Sequence, residues 1–466
     1  MTRFAWREHG PSIVVATLAS AFGVALLQGT ANLAIMMRAD DVTGSSATVA
    51  LMLSIVAMVF IVIAIYVAAV VTANTFATVI VGRTRTIALL RLVGATARNQ
   101  RNAVATEGLI VGMLGAAIGA LVGTAIPAIG FLIASATGAI PSAPWNFLQP
   151  AILLPVVGVV LTTWIASWVG SRRVLSVSPM QATGAAQEHT FEEVAGRRGR
   201  NAFAIVLFVL GTGLLALGIL VGLVSPFGVM IGLVGGVLSF TGLVLGAQLV
   251  MPPALRIVGR LLGRSAAGRL AAENAVRYPE RSSRTTIGLV IGVTLITMFA
   301  VAMASWEHMI RVAQEANPEI FVGIDEMMVV TTAIFSVLVG FSALIAAVGM
   351  VNNLSLSVLQ RTRELGLLRA LGFTAGQLRQ MVLAEAAQLT VAAIAVGLVL
   401  GIGYGWAGAQ SMLGSMNGIP GLVAPVVPGW LIAAVVVAGA GLTAAASIAP
   451  TRRATRIAPV VALAVD

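Results

Sequence analysis

The sequence contains no cysteine and no lysine, and charged residues make up only 10% of its 466 positions. Without cysteine, the chain forms neither a disulfide framework nor a thiolate metal site. Without lysine, it forms neither a Schiff base nor a G-x-x-x-x-G-K-[ST] phosphate loop, so ATP hydrolysis has to come from another chain. Soluble domains carry about 25% charged residues, so this chain, with 58% hydrophobic residues, is expected in a membrane.

Ten apolar runs reach the length of about 20 residues that a membrane-spanning helix needs. They lie near 13–35, 50–80, 105–133, 150–171, 202–223, 228–250, 286–305, 327–357, 381–407 and 429–449. The second and eighth runs exceed that length, so we expect both to project into the cytoplasm as stalks. The first is too long for the apolar region of a signal peptide and lacks a clear A-x-A site, which predicts an uncleaved helix.

The positive charge is concentrated in alternate connections between these runs. All 28 basic residues are arginines, and 26 of them fall in the segments 1–12, 82–104, 172–201, 251–285, 361–380 and 450–466. The other connections hold Arg38 and Arg311. Because positive residues stay on the cytoplasmic side, both termini are predicted to be cytoplasmic, and the net charge of +11 does not indicate nucleic-acid binding.

The chain also repeats itself at a shift of 278 residues. The shift places Arg83, Arg85, Arg91, Gly94, Thr96 and Arg101 onto Arg361, Arg363, Arg369, Gly372, Thr374 and Arg379. The repeat unit is then four helices, with residues 1–182 as the first unit, 183–268 as linkers and a two-helix spacer, and 269–466 as the second unit. Six helices separate equivalent positions, so the predicted fold is an all-α, ten-helix membrane protein with two parallel repeats.

The stretch "RTRELGLLRALGFTAGQLRQ" at 361–380 predicts a stalk end, a break and a new helix. Gly372 is a helix terminator because glycine accepts positive φ. Thr374 stands at an N-cap, with Gln377 at capping-box spacing. A short helix over 375–380 is therefore predicted, turning into the ninth span. The first copy has Gly94, Thr96 and Asn99 at the matching positions. The alternative is that both stretches are ordinary positive-inside loops.

"RTRELGLLRALGFTAGQLRQMVLAEA" resembles the signature of the FtsX-like permease family, the membrane subunits of ABC transporters. "AENAVRYPERSSRTTIGLVIG" (272–292) resembles the entry into that family's first helix. The resemblance covers about 270–466 strongly and 1–182 more weakly. It implies paired four-helix units, each with a short coupling helix that docks into an ATPase subunit. Thr86 and Ala88 depart from Glu364 and Gly366 of the second copy, so the two docking sites are expected to differ.

The resemblance implies that the arginine-rich segments couple the permease to the ATPase. The residues concerned are Arg83, Arg85, Arg91, Gly94, Thr96, Arg98, Arg101, Arg361, Arg363, Glu364, Arg369, Gly372, Thr374, Gln377 and Arg379. It further implies two copies of a separate ATPase subunit per permease chain, which acts as a pseudo-dimer in the plasma membrane of a bacterium. The chain itself is expected to be no enzyme and to hold no cofactor or metal, with ATP and Mg bound by the partner.

Polar residues inside the predicted spans are few. No Asp, Glu or Arg falls at the centre of a span, which disfavours an ion-coupled carrier. Gln28 and Asn32 are candidates for a substrate path or for a helix interface. Asn74 and Asn352 are candidates for a bond across the pseudo-dimer or to a neighbouring helix. Glycines at small-x-x-x-small spacing predict close helix packing; they are Gly115, Gly119, Gly123, Gly397, Gly401 and Gly405.

These observations favour an ABC-transporter permease that exports or extracts a hydrophobic or amphiphilic substrate, such as a lipid, lipopeptide, peptide or drug. The expected partners are ATPase subunits, membrane lipids and that substrate, with no nucleic acid. Two alternatives remain. One is a non-transporting mechanotransmitter or sensor of the same family. The other is an ion-coupled secondary transporter.

Overall fold

All regular structure in the described part of the chain is helical. The computed structural model describes residues 6–38, 96–138, 144–171, 198–262, 279–319, 371–416 and 421–456, with isolated positions between 55 and 94, at 269 and 273, between 328 and 344, and at 418 and 419. Within these residues the helices are α1 (Trp6–Arg38), α2 (Ala97–Ala136), α3 (Leu153–Gly170), α4 (Arg198–Gly222), α5 (Gly228–Leu245), α6 (Ala247–Leu262), α7 (Pro279–Ala316), α8 (Ala375–Leu413) and α9 (Gly429–Arg456).

Seven helices of the described part are long and apolar enough to cross a membrane. They are α1 to α5, α7 and α8; α9 adds a shorter apolar stretch, Gly429–Gly441. The chain is therefore a multi-pass membrane protein. The runs predicted near 50–80 and 327–357 lie mainly outside the described residues, and the stalks expected from them remain predictions.

Helices α1 and α7 are the central helices of the described bundle. In their apolar windows 78% and 72% of the residues are buried, against 22% in α4. The two helices meet at Phe22 and Phe299, whose ring centroids lie 5.7 Å apart in an edge-to-face arrangement. Aromatic pairs in this geometry contribute about 1 kcal/mol beyond the area they bury. This pair is a contact between one helix from each predicted repeat.

Glycine seams hold α2 against α1 and α8 against α7. A Cβ at Gly119 would lie 2.5 Å from the Thr17 carbonyl oxygen, and one at Gly401 would lie 2.4 Å from Thr297 Cβ. Contacts of this kind recur one turn before or after, at Gly115, Gly123, Gly397 and Gly405. Only glycine permits such an approach, so the packing interpretation of these glycines is confirmed.

Helices α4 and α5 form a hairpin that the glycine pattern brings into backbone contact. The seam uses Gly211 and Gly218 of α4 against Gly228, Gly235 and Gly242 of α5. These residues recur every seven positions, or two helical turns, and therefore stay on one face of each helix. The hairpin packs on α8, where a Cβ at Gly222 would lie 2.5 Å from the Ser411 Cα. The hairpin is therefore packed against the predicted second unit.

The sixth predicted span, 228–250, ends five residues early. Helix α5 stops at Leu245, and the Gly246 N–H donates to the Gly242 carbonyl at 2.8 Å. A separate helix, α6, then runs through part of the region predicted as a cytoplasmic linker. Its buried residues Met251, Leu255 and Val258 lie on one face, and it packs against α7 and α8. The uninterrupted apolar sequence across Gly246 hid this break.

The short helix predicted over 375–380 is not separate from the ninth span. Residues 375–413 form the single helix α8, and residues 97–136 likewise form the single helix α2. At about 1.5 Å per residue each is about 60 Å long, roughly twice the hydrocarbon thickness of a bilayer. The polar first turns of α2 and α8 contain residues that favour a helix, so each helix runs from its first turn into the apolar span without interruption. The predicted short helix is therefore the first part of a long helix.

Candidate functional site

The two polar helix starts are preceded by glycines in the left-handed region. Gly94 has φ +103° and Gly372 has φ +99°. Both residues are exposed, and a Cβ at either would meet nothing within 4 Å. Glycine is required there for its backbone conformation and not for space. The interruption of helical structure predicted at both positions is confirmed.

Each break is followed by a threonine that caps the next helix. The Thr374 Oγ1 accepts from the Gln377 backbone N–H at 3.2 Å, and the Gln377 Oε1 accepts from the Thr374 N–H at 2.9 Å. This is the predicted capping box. At the start of α2, the Thr96 Oγ1 accepts from the Asn99 N–H at 3.2 Å. Both N-caps are confirmed, and they fix where α2 and α8 begin.

The Thr374 cap gives a local stability prediction. Replacing Thr374 with alanine removes the hydroxyl that accepts from the Gln377 N–H, which we expect to destabilise the first turn of α8 by about 1 kcal/mol. Hydrogen exchange at the Gln377 amide should accelerate about fivefold, measured by mass spectrometry on the intact protein in detergent. Thr374→Ser is the matched control, because it keeps the hydroxyl and should exchange like the native protein. Equal exchange in Thr374→Ala and Thr374→Ser contradicts the capping assignment.

The arginines of the two helix starts have different surroundings. Arg98 and Arg379 are exposed. Arg101, in contrast, places its guanidinium carbon 4.0 Å from the centroid of the Trp168 ring near the end of α3. Its Nε and Nη2 are buried and have no hydrogen-bond partner among the described residues. The cation is therefore held by a cation–π contact within the chain, which distinguishes Arg101 from its exposed counterpart Arg379.

Nine of the predicted site residues lie outside the described residues, and their roles stay predictions. They are Arg83, Arg85, Arg91, Arg361, Arg363, Glu364, Arg369, Asn74 and Asn352.

Gln28 and Asn32 are fully buried and connect α1 to the loop before α3. The Gln28 Nε2 donates to the Phe147 carbonyl at 2.6 Å, and the Asn32 Oδ1 accepts from the Asn146 N–H at 3.3 Å. This geometry favours the interface alternative over the substrate path. A similar bond joins α7 to the loop before α9. There the Ser305 Oγ accepts from the Val426 N–H at 3.1 Å.

A partly enclosed cavity of about 120 Å³, which we call the tyrosine cavity, lies between the α4–α5 hairpin and the helices packed on it. Its wall comes from α4, α5, α7, α8 and helical positions between 59 and 70. The described lining residues include no charged side chain. The polar ones are Tyr66, Thr294, Tyr404 and Ser411.

Two tyrosines face each other across α5 in this cavity. The hydroxyls of Tyr66 and Thr241 lie 2.9 Å apart, as do those of Tyr404 and Ser239. The ring of Phe240 stands between them, with centroids 6.2 Å from Tyr66 and 6.1 Å from Tyr404. Sequence reasoning missed this cluster. The available signal was that two of the chain's three tyrosines fall inside apolar runs.

No cluster of three potential metal ligands from His, Asp or Glu occurs within the part of the chain that the structure describes. The candidate site in that part of the chain consists of two capped helix starts and an apolar cavity.

Comparison with known proteins gives two matches. The family model for the FtsX-like permease C-terminal region matches residues 58–179 and again residues 336–459, together more than half of the chain. An uncharacterized ABC transporter permease, YknZ of Bacillus subtilis strain 168, is 35% identical over 105 residues. That alignment covers 22% of this chain and 25% of the relative, so the chain spans about a quarter of the curated relative it matches.

Proposed function

We propose that this chain, which belongs to the FtsX-like permease family, couples ATP hydrolysis by two separate ATPase subunits to export or extraction of a hydrophobic or amphiphilic substrate across a bacterial plasma membrane. The observation that carries the proposal is the pair of matching helix starts. Gly94 with Thr96, and Gly372 with Thr374, end one segment and cap the next in the same geometry. Both pairs lie in segments that the positive-inside rule assigns to the cytoplasm.

The long helices supply a path from those helix starts into the membrane. Helices α2 and α8 are continuous over 40 and 39 residues, so a displacement of the first turn is carried along the whole rod. Their glycine seams join them to α1 and α7, and these two meet at Phe22 and Phe299. Force applied by an ATPase at either helix start therefore reaches the contact between the two halves. The two regions that match one family model support the two-repeat organisation.

The membrane interior supports an apolar substrate. The tyrosine cavity has no charged residue among its described lining residues, which disfavours a sugar, an ion or a charged peptide inside it. An amphiphile can keep its polar group at the interface while its apolar part enters the bundle. This combination favours lipids, lipopeptides and amphiphilic drugs as substrates.

A charge reversal at the exposed end of α8 tests ATPase coupling. Arg379→Glu places a negative charge at the proposed docking surface, and we expect ATPase binding to weaken by at least about tenfold. The measurement is co-purification and titration of a candidate ABC ATPase subunit from the same organism. Arg311→Glu is the matched control, because Arg311 forms an exposed pair with Glu307 at the opposite end of α7 from its predicted cytoplasmic start. Exposed pairs of this type contribute little to stability.

Three results would decide between the proposed function and its alternatives. If Arg379→Glu and Arg311→Glu bind the ATPase equally, the proposed docking surface is wrong. Transport that continues without ATP but stops when the ion gradient is abolished identifies a secondary transporter instead. ATP hydrolysis stimulated by an amphiphile, with no movement of that amphiphile across proteoliposome membranes, identifies a sensor or mechanotransmitter.

A further inference from the structure

We propose that the tyrosine cavity binds the end of an acyl chain, belonging either to a membrane lipid or to a lipid-like amphiphile. Thr294 and Met298 line the cavity and lie near the middle of α7, Pro279–Ala316. In a spanning helix the middle is at the depth of the bilayer hydrocarbon. The cavity therefore lies at a depth where acyl chains surround the protein.

The cavity wall matches an apolar occupant. The hydroxyls of Tyr66 and Tyr404 are paired with Thr241 and Ser239, and the Ser411 Oγ donates to the Gly408 carbonyl at 3.1 Å. Among the described lining residues, Thr294 has the one hydroxyl without a hydrogen-bond partner. A polar headgroup would lose its hydration there without recovering its hydrogen bonds, whereas a hydrocarbon chain loses nothing.

Glycines keep the cavity open, and they differ from the glycines of the hairpin seam. A Cβ at Gly408 would meet nothing within 4 Å, and one at Gly236 would make only ordinary contact with Leu215 Cδ1 at 3.6 Å. One position earlier, a Cβ at Gly235 would lie 2.5 Å from the Leu215 backbone nitrogen. Helix α5 therefore has one glycine face that packs closely and another that leaves space.

The volume of the tyrosine cavity suits the end of an acyl chain. Its volume is about 120 Å³, and an apolar cavity of roughly 150 Å³ in another protein stays dry and holds a benzene molecule. An aliphatic segment of a few carbons fits such a volume, while a whole peptide or macrocycle does not. This binding does not rest on ATPase coupling, so it stands or fails separately from the proposed function.

Photolabelling of the full chain in nanodiscs tests the site. The probes are palmitic acid with a diazirine near the chain terminus and phosphatidylcholine carrying the same chain, both used without ATP. We expect labelling concentrated on peptides of α5 and on the part of α8 around Tyr404. Gly408→Leu fills the cavity and should reduce labelling of these peptides by at least about tenfold.

Two further variants control for folding and position. Gly403→Leu makes the same change on α8, at an exposed glycine whose Cβ would meet nothing within 4 Å, and should label like the native protein. Gly236→Leu fills the cavity from α5, so reduced labelling there as well removes any dependence on the folding of Gly408→Leu.

The outcomes of the photolabelling are distinct. Labelling by the phospholipid alone identifies a bulk lipid chain, and labelling by the free fatty acid as well identifies a site open to single-chain amphiphiles; both support the proposal. Labelling that is uniform over the lipid-facing helices overturns it. Labelling that is unchanged in both Gly408→Leu and Gly236→Leu also overturns it.

Discussion

Replacing Gly401 with alanine is expected to destabilise the folded protein by about 3 kcal/mol, because the new methyl group has no room. Its Cβ would lie 2.4 Å from Thr297 Cβ and 2.8 Å from the Thr294 carbonyl oxygen, so α8 must move away from α7 along the whole seam. The measurement is the free energy of unfolding by SDS in mixed micelles, with helicity followed by circular dichroism. The yield of monodisperse protein should fall in parallel.

Gly403→Ala is the matched control for this seam. Gly403 is two residues further along α8, is exposed, and its Cβ would meet nothing within 4 Å. Because alanine favours a helix over glycine by up to about 1 kcal/mol, Gly403→Ala should leave stability unchanged or raise it slightly. The same substitution therefore has opposite consequences at neighbouring positions. Equal unfolding free energies for the two variants would contradict the close approach of α7 and α8.

Replacing Gly372 with valine is expected to reduce permease-stimulated ATP hydrolysis by at least about tenfold while the bundle stays folded. A β-branched residue at φ +99° costs about 1–3 kcal/mol, so the segment before Thr374 adopts another path and α8 no longer begins in its native orientation. The measurement is ATP hydrolysis by the ATPase subunit reconstituted with the variant in proteoliposomes. Gly372→Asn, which tolerates the left-handed region better, should retain part of the activity.

Gly421→Val tests whether the loss of ATPase stimulation depends on where the strained residue lies or only on the stability that the strain costs. Gly421 also has positive φ, +78°, and an added Cβ there would meet nothing within 4 Å. It lies between α8 and α9, at the opposite end of α8 from Gly372. Gly421→Val should therefore lower stability by a similar amount and leave ATPase stimulation in place. If Gly421→Val loses stimulation to the same extent as Gly372→Val, the effect comes from general destabilisation and not from coupling.

Local features of the fold were predictable from the sequence because they depend on residues close together in the chain. The Thr374 capping box needs only the side chain three residues later, and the positive φ of Gly372 follows from the need to end one helix and start another. The seam glycines recur at fixed spacing within one helix. The spans α1, α3 and α4 needed only an apolar run of sufficient length.

The features that sequence reasoning missed depend on contacts between residues far apart in sequence or on differences between helices of similar sequence. The break at Gly246 is not marked by any change in hydrophobicity, so the predicted sixth span continued past it into the first residues of α6. At the tyrosine cavity, Tyr66 is paired with Thr241, which is 175 positions away in sequence, and Ser239 is paired with Tyr404, 165 positions away. No local pattern indicates such pairs. Likewise, the stacking of Arg101 on Trp168 distinguishes the two helix starts only once α2 and α3 are packed.

Helix α5 is hydrogen-bonded to two parts of the chain that are distant from it in sequence. Thr241 holds Tyr66 on one side of Phe240 and Ser239 holds Tyr404 on the other, each pair with hydroxyl oxygens 2.9 Å apart. A hydrogen bond is lost once its heavy atoms separate beyond about 3.5 Å. Each pair can lengthen by about 0.6 Å before that limit, so moving the two tyrosines apart by more than about 1.2 Å along these bonds breaks at least one of the two pairs that hold α5.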